Sequence, residues 1–310
     1  EYTTNNNLYD SRQGSCAMAD IDNDGDLDLI ITGADGQLSN RKTTLYTNDG
    51  EGNFTEVIGT GLSNWSEGGE IAFADVDGNG TEDFFIGCPR GQSAAVFLSD
   101  GKGSFKVNGK GPPFDKHYDF EDIGALFLDA DSDGDSDLYV SSGSYEFEKG
   151  DPLVRDRIYI NDGSGNFIIS KDEVLPKNLD NGSVVCGADF DRDGDIDLFV
   201  GSRVVSGEYP TSPRSRLLIN ESVKGKSIRF VEASNTITGD LVNSGMVTSA
   251  LWSDVNNDGW SDLIVTEEWG PIRVYVNDFG KFIERTKESG LSKMKGWWNS
   301  IMGADIDNDG

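Results

Sequence analysis

A chain of 310 residues, 36% of them hydrophobic, can bury a substantial core, and its formal net charge of −29 leaves no broad basic surface for nucleic-acid phosphates or an anionic membrane. Cys16, Cys88 and Cys186 are odd in number, so a disulfide framework is not expected, although one pair stays open. No apolar run approaches the ~20 residues of a membrane-spanning helix, and the start at Glu1 without a signal-like segment reads as a mature or trimmed product.

In chain order the same unit recurs. Residues 14–67 hold "SCAMA", the acidic stretch "DIDNDGD", then "LDLIITG", "TTLYTND" and "NFTEV". Residues 68–121 repeat the order with "ADVDGNGTEDFFIG", "AAVFLSD" and "SFKVN", and residues 122–182 with "GALFL", "DADSDGDSDLYVSS", "DRIYIND" and "NFIIS". Residues 183–246 carry "ADFDRDGDIDLFVGS", "SRLLIN" and "RFVEA"; residues 247–297 carry "SDVNNDGWSDLIVT", "IRVYVND" and "KFIER". A sixth copy, "ADIDNDG", begins within residues 298–310. The first aspartates of successive copies lie 51 to 65 residues apart, which is one structural unit with loops of changing length.

Each unit reads as four short strands. The runs are rich in β-branched and aromatic residues, and Asn/Asp-Gly pairs between them are hairpin signals. No long helical periodicity is present. Four-stranded antiparallel sheets at this period predict an all-β fold, a β-propeller with five complete blades and the start of a sixth, in a single domain spanning residues 1–310. A solenoid is the weaker alternative, because its repeats are usually shorter.

The acidic stretch has the form D-x-D-x-D-G-x-x-D. Oxygens at positions 1, 3, 5 and 9, with a backbone carbonyl at position 7, suit one hard cation, and the glycine at position 6 permits the sharp turn. The candidate ligands are Asp20, Asp22, Asp24, Asp26 and Asp28; Asp75, Asp77, Asn79, Thr81 and Asp83; Asp129, Asp131, Asp133, Asp135 and Asp137; Asp189, Asp191, Asp193, Asp195 and Asp197; and Asp254, Asn256, Asp258, Trp260 and Asp262. Asp305, Asp307 and Asp309 start a sixth loop without a ninth position. A turn alone needs one or two such residues, not four acids in register. Position 12 is Ile or Val rather than the glutamate of an EF-hand, so position 9 must close the site. About five complete, structural calcium sites are expected, with those containing Asn79 and Asn256 the weaker.

These loops and their flanking strands resemble FG-GAP (VCBS) repeats, the blades of the integrin α-subunit propeller. Phrases such as "RIYINDGSGNF" and "GWWNSIMGADIDNDG" are similar to secreted bacterial proteins of the ASPIC/UnbV type. The resemblance implies a propeller, usually of seven blades, with calcium between the first two strands of each blade. Seven blades at this period need on the order of 400 residues, so the chain is expected to continue, possession of further domains included.

In such a blade the 1–2 and 3–4 turns share one end, and the long 2–3 loops and crossovers share the other. The long loops collect Trp65, Phe114, His117, Tyr118, Tyr145 and Phe147, with Arg155 and Arg157. They also supply the candidate ligand contacts Arg203, Tyr209, Arg214, Arg216, Trp269, Trp297 and Trp298, since aromatic and arginine side chains dominate binding hot spots. Enzyme signals are poor: His117 is the sole histidine and has no companion motif, and no G-x-S-x-G turn occurs. The expected function is a non-enzymatic, calcium-stabilised adhesion or scaffold propeller outside the cell, taking a protein or glycan, without nucleic-acid binding or membrane insertion. A lectin proper, a calcium-dependent polysaccharide lyase and a purely structural surface module are the rivals.

Overall fold

The computed structural model describes residues 15–33, 43–62, 69–108, 113–224 and 227–304. The described residues form five antiparallel sheets in which four strands lie in chain order. The first holds β1 (Cys16–Ala19), β2 (Asp28–Ile31), β3 (Thr44–Asn48) and β4 (Phe54–Glu56); the second holds β5 (Ile71–Ala74), β6 (Asp83–Ile86), β7 (Ala95–Ser99) and β8 (Phe105–Asn108). The third holds β9 (Asp122–Leu128), β10 (Asp137–Ser142), β11 (Arg157–Ile160) and β12 (Ile168–Ile169). The fourth holds β13 (Gly182–Ala188), β14 (Asp197–Ser202), β15 (Arg216–Asn220) and β16 (Phe230–Glu232). The fifth holds β17 (Met246–Ser253), β18 (Asp262–Pro271), β19 (Arg273–Asn277) and β20 (Phe282–Glu284), with β21 (Lys295–Trp297) added against β18. This is the expected all-β fold of four-stranded propeller blades.

The pairing register places the acidic loops. Ala19 faces Asp28, Ala74 faces Asp83, Ala188 faces Asp197 and Ser253 faces Asp262. Position 9 is therefore the first residue of each second strand, and positions 1 to 8 form the 1–2 turn. Alternation along the strands sends apolar side chains inward.

The chain divides into two compact units, the boundary falling inside the third repeat. One runs to Phe127 and includes Asn161–Ile168; the other holds Leu128–Ile160 and continues from Ile169. In the first, Ile30, Leu45, Ile86 and Ala95 surround Phe84, which stacks on Phe97 at 4.9 Å and meets Phe105 edge-on at 5.0 Å. In the second, Phe199, Leu217, Val247, Leu263 and Tyr275 form the core with Phe190, which stacks parallel to Trp252. Position 2 of the loops supplies part of this packing. Ile21, Val76, Ala130 and Phe190 are all buried, so the first four acidic turns are each anchored by one apolar side chain, whereas Val255 of the fifth is exposed. For a residue of Ile or Phe size, that burial contributes about 1.5–3 kcal/mol.

One feature was not legible in the sequence. β18 runs for ten residues and carries a register shift between Glu268 and Gly270 where β21 joins it. Cys88 is buried, its thiol donating to the Ser93 carbonyl (3.3 Å), and Cys16 is exposed.

Candidate metal centres and recognition surface

Each acidic loop is built by its own carboxylates. The position-1 side chain accepts the backbone N–H groups of positions 5 and 6: Asp20 from Asp24 (3.1 Å) and Gly25 (3.0 Å), Asp129 from Asp133 and Gly134 (both 3.0 Å), and Asp254 from Asp258 (3.1 Å) and Gly259 (2.7 Å). Position 5 accepts from position 7, as in Asp24 from Asp26 (2.9 Å) and Asp193 from Asp195 (3.0 Å). Position 9 is buried and joins two strands. Asp83 accepts from Val76 at position 2 (2.9 Å) and from Ser99 at the end of β7 (2.7 Å), and Asp262 does the same with Val255 (3.0 Å) and Asn277 (2.7 Å).

The turn needs two left-handed residues. Position 6 is always glycine, with φ of 83° to 105°. Position 4 (Asn23, Gly78, Ser132, Arg192 and Asn257) also has φ between 61° and 71°. Sequence reasoning missed position 4, and three of the side chains there, Asn23, Ser132 and Arg192, reach the following loop. Asn23 donates to the Gly80 carbonyl (3.2 Å), Ser132 to the Asp195 carboxylate (2.7 Å), and the Arg192 guanidinium lies 4.4 Å from the Trp260 ring centre.

Four groups bring three carboxylates together, with ligand atoms within 4.8 Å of one another: Asp20–Asp22–Asp28, Asp75–Asp77–Asp83, Asp129–Asp131–Asp137 and Asp189–Asp191–Asp197. Buried oxygens of Asp22, Asp131, Asp135, Asp189 and Asp197 have no hydrogen-bond partner. Burial pushes the Asp83 carboxyl up to about 6 and that of Asp197 up to about 8. Burial and then the charge of Asp133 push Asp135 up to about 6. Converging, partnerless carboxylate oxygens that resist ionisation together are the donor set of a hard cation, so the residues fit a metal ion.

Loops two and five differ. Asn79 stands at position 5, outside the three-acid group, and its amide bridges Thr81 and the Ser99 carbonyl. Asn256 stands at position 3, and its amide donates to Asp258 (2.9 Å). Among the described residues the fifth loop forms no three-carboxylate group. Asp305, Asp307 and Asp309 lie outside the described residues, as does Trp65.

The structure separates the candidate ligand contacts. Arg203, Tyr209, Trp269 and Trp297 come together at the end of β18. Arg203 Nε donates to Glu268 (2.6 Å), the Tyr209 hydroxyl donates to the same carboxylate (3.3 Å), and Trp269 Nε1 donates to the Tyr209 oxygen (2.9 Å). The Trp269 and Trp297 rings are 4.8 Å apart. Trp298 stands half-buried beneath β21, its indole donating to the Gly270 carbonyl (3.2 Å). Arg214 is tied to Glu232. Arg216 is corrected as a surface contact: it is buried, with its charge matched by Asp156, which also accepts from the Tyr139 hydroxyl. Arg157 is likewise buried, donating to Tyr159 and Ser142, and Phe114 and Phe147 are core residues. Sequence position put these side chains in long loops; an inward-facing strand register put Arg157 and Arg216 inside.

A model of FG-GAP-like repeats matches residues 20–86, 129–200 and 254–310. No curated protein matches the sequence. Among solved structures, an Agrocybe aegerita lectin, described for specific recognition of non-reducing terminal N-acetylglucosamine, superposes with a TM-score of 0.56 at 18% identity. That match covers 89% of this chain, and the chain spans 65% of the lectin. The V. cholerae biofilm matrix protein Bap1 (TM-score 0.45, 13% identity, 87% of this chain and 38% of that one) and a Bacillus licheniformis rhamnogalacturonan lyase (0.43, 13%, 87% and 46%) are more distant. No helix among the described residues is long and apolar enough to cross a membrane. With the family model covering more than half of the sequence and five acidic loops in five sheets that each contain four strands in chain order, the chain belongs to the FG-GAP-like repeat family.

Proposed function

We propose that the chain is a non-enzymatic recognition module working outside the cell, whose blades are stabilised by calcium and whose long-loop end takes a glycan or protein ligand. The observation that carries the reading is the repeated convergence of three carboxylates with partnerless oxygens in the 1–2 turns. Positions 1, 3 and 9 would hold the ion. Calcium is favoured over magnesium because it accepts irregular all-protein oxygen cages, whereas magnesium keeps several waters. Bound there, the cation neutralises the clustered charge. Position 9 then links that neutralisation to the blade itself, since its carboxylate ties the turn to the third strand. Millimolar extracellular calcium would keep even weak loops filled.

The non-enzymatic reading is supported by the acids being committed to the loops and by His117 lying edge-on to Phe120 at 5.4 Å in a short turn. The test pairs calorimetric calcium titration with ligand screening on immobilised glycans. Terminal N-acetylglucosamine is the first probe, because a lectin sharing the fold recognises it. At least four bound ions and saturable binding without product release are expected. Absence of calcium binding, or release of unsaturated oligosaccharides from rhamnogalacturonan, would overturn the reading.

A further inference from the structure

We infer that the end of β18 remote from the metal loops carries a platform for an uncharged pyranose, formed by Trp269, Trp297 and Tyr209 over the Arg203–Glu268 pair. The inference rests on the recognition-module reading and names the site and ligand chemistry.

Three observations carry it. The first is backbone geometry. The pairing of β18 with β21 sets Glu268 opposite Trp297 and Gly270 opposite Gly296, leaving Trp269 as the extra residue of a β-bulge. Its φ is +63°, a conformation in which a bulky residue is strained and which such bulges usually reserve for glycine. Backbone strain persists where the surroundings enforce it, and it gathers at ligand sites. The outcome here is an indole held outward, 60% exposed.

The second is the rigid support. Glu268 is buried, and its carboxylate holds both Arg203 and the Tyr209 hydroxyl; Tyr209 in turn accepts from the Trp269 indole. The neighbouring Glu267 is threaded between glycines. A Cβ on Gly245 would stand 1.5 Å from its Oε2, and one on Gly270 would stand 2.1 Å from its Cδ. Tyr209 and Trp269 are thus held from below through polar bonds that run to one buried carboxylate.

The third is size and charge. Three rings at roughly half exposure present on the order of 300 Å². That suits one or two sugar rings and falls well short of the roughly 800 Å² per partner of a stable protein interface. The cations bonded at the platform and beside it are matched, Arg203 by Glu268, Arg273 by Glu267 and Lys149 by Glu208, and Lys295 on β21 lies in the field of Glu267. An anionic sugar would need an unpaired cation, whereas a neutral pyranose can lay its C–H surface on an indole, accept a hydrogen bond at the ring edge from Arg203 and donate a hydroxyl to the Tyr209 oxygen.

The test uses the calcium-loaded chain on printed neutral gluco-, galacto- and N-acetylglucosamine oligosaccharides beside polygalacturonate. The expected result is binding to a neutral glycan that Trp269→Ala weakens at least tenfold, with the melting temperature retained. Phe279→Ala, an exposed aromatic in the 3–4 turn of the same blade, should leave it unchanged. If Trp269→Ala fails to fold, Tyr209→Ala and Trp297→Ala replace it, with sugar protection of tryptophan fluorescence from iodide as a second readout. Neutral-glycan binding that survives all three variants overturns the platform and leaves the module reading standing. Binding confined to polygalacturonate overturns the uncharged-ligand assignment, and binding to no glycan overturns the platform while pull-down of a protein ligand would preserve the module.

Discussion

Asn256 occupies the third loop position, where the other four described repeats carry Asp22, Asp77, Asp131 and Asp191. Its amide nitrogen is turned to Asp258, so the fifth loop loses a carboxylate and occupies an oxygen of another. Asn79 is a milder change, because position 5 serves mainly as an acceptor for the turn and the Asp75–Asp77–Asp83 group still converges. Calcium affinity in such loops follows ligand charge and rigidity. Asn256→Asp is therefore expected to tighten the fifth site by about tenfold or more. NMR of the Gly259 amide, which donates to Asp254, would follow that site during calcium titration. An unchanged midpoint would show that position 3 does not bind.

At the scale of the element, the residue that ends the third strand or directly follows it does two jobs. Its backbone N–H donates to position 9 of its own blade, as with Asn220 to Asp197 and Asn277 to Asp262. Its side chain donates to the position-2 carbonyl of the preceding loop: Ser99 to Ile21, Asn161 to Val76, Asn220 to Ala130 and Asn277 to Phe190. Adjacent acidic loops within a unit are thus coupled twice, by this latch and by the position-4 side chain. Asn277→Ala would remove bonds to the Phe190 and Ser261 carbonyls and the acceptor for Gly280 N–H. Leaving buried groups unpaired costs about 1–3 kcal/mol. Urea unfolding should register that loss, and the Gly194 amide in the fourth loop should titrate at higher calcium than in the unaltered chain. Equal midpoints at Gly194 would mean that the latch holds the blades without influencing the ion.

Across the whole molecule, a net charge of −29 makes the compact state pay for self-repulsion, and the clustered aspartates concentrate that cost in the turns. Four divalent ions would offset eight of those charges at the places where they crowd. Ligand binding to the folded state alone adds about 2.7 kcal/mol per site at a hundredfold excess over Kd. Chelation is expected to lower the melting temperature by well over ten degrees. Sodium chloride should restore only part of it, since screening acts on exposed charges and not on buried carboxylates such as Asp83 and Asp197. Full recovery in salt alone would place the effect in diffuse charge rather than in bound ions.

The amino-acid sequence alone carried the repeat, the four-strand order and the position of every described acidic loop, because these depend on local patterns: Asn/Asp-Gly turns, alternating apolar runs, and acids at fixed spacing around one glycine. It also contained the latch, as the recurring Asn or Ser that ends each third run, but its meaning depended on a carbonyl some 80 to 90 residues away in the preceding loop. Which long-loop side chains meet was set by packing and register instead. Arg216 and Trp269 looked alike as candidates. Strand register turned Arg216 inward to Asp156, while a bulge against β21 turned Trp269 out beside Tyr209 and Trp297. The reason is physical: a metal loop is closed by neighbours in sequence, whereas a binding surface is assembled from segments whose proximity is set by how sheets pack.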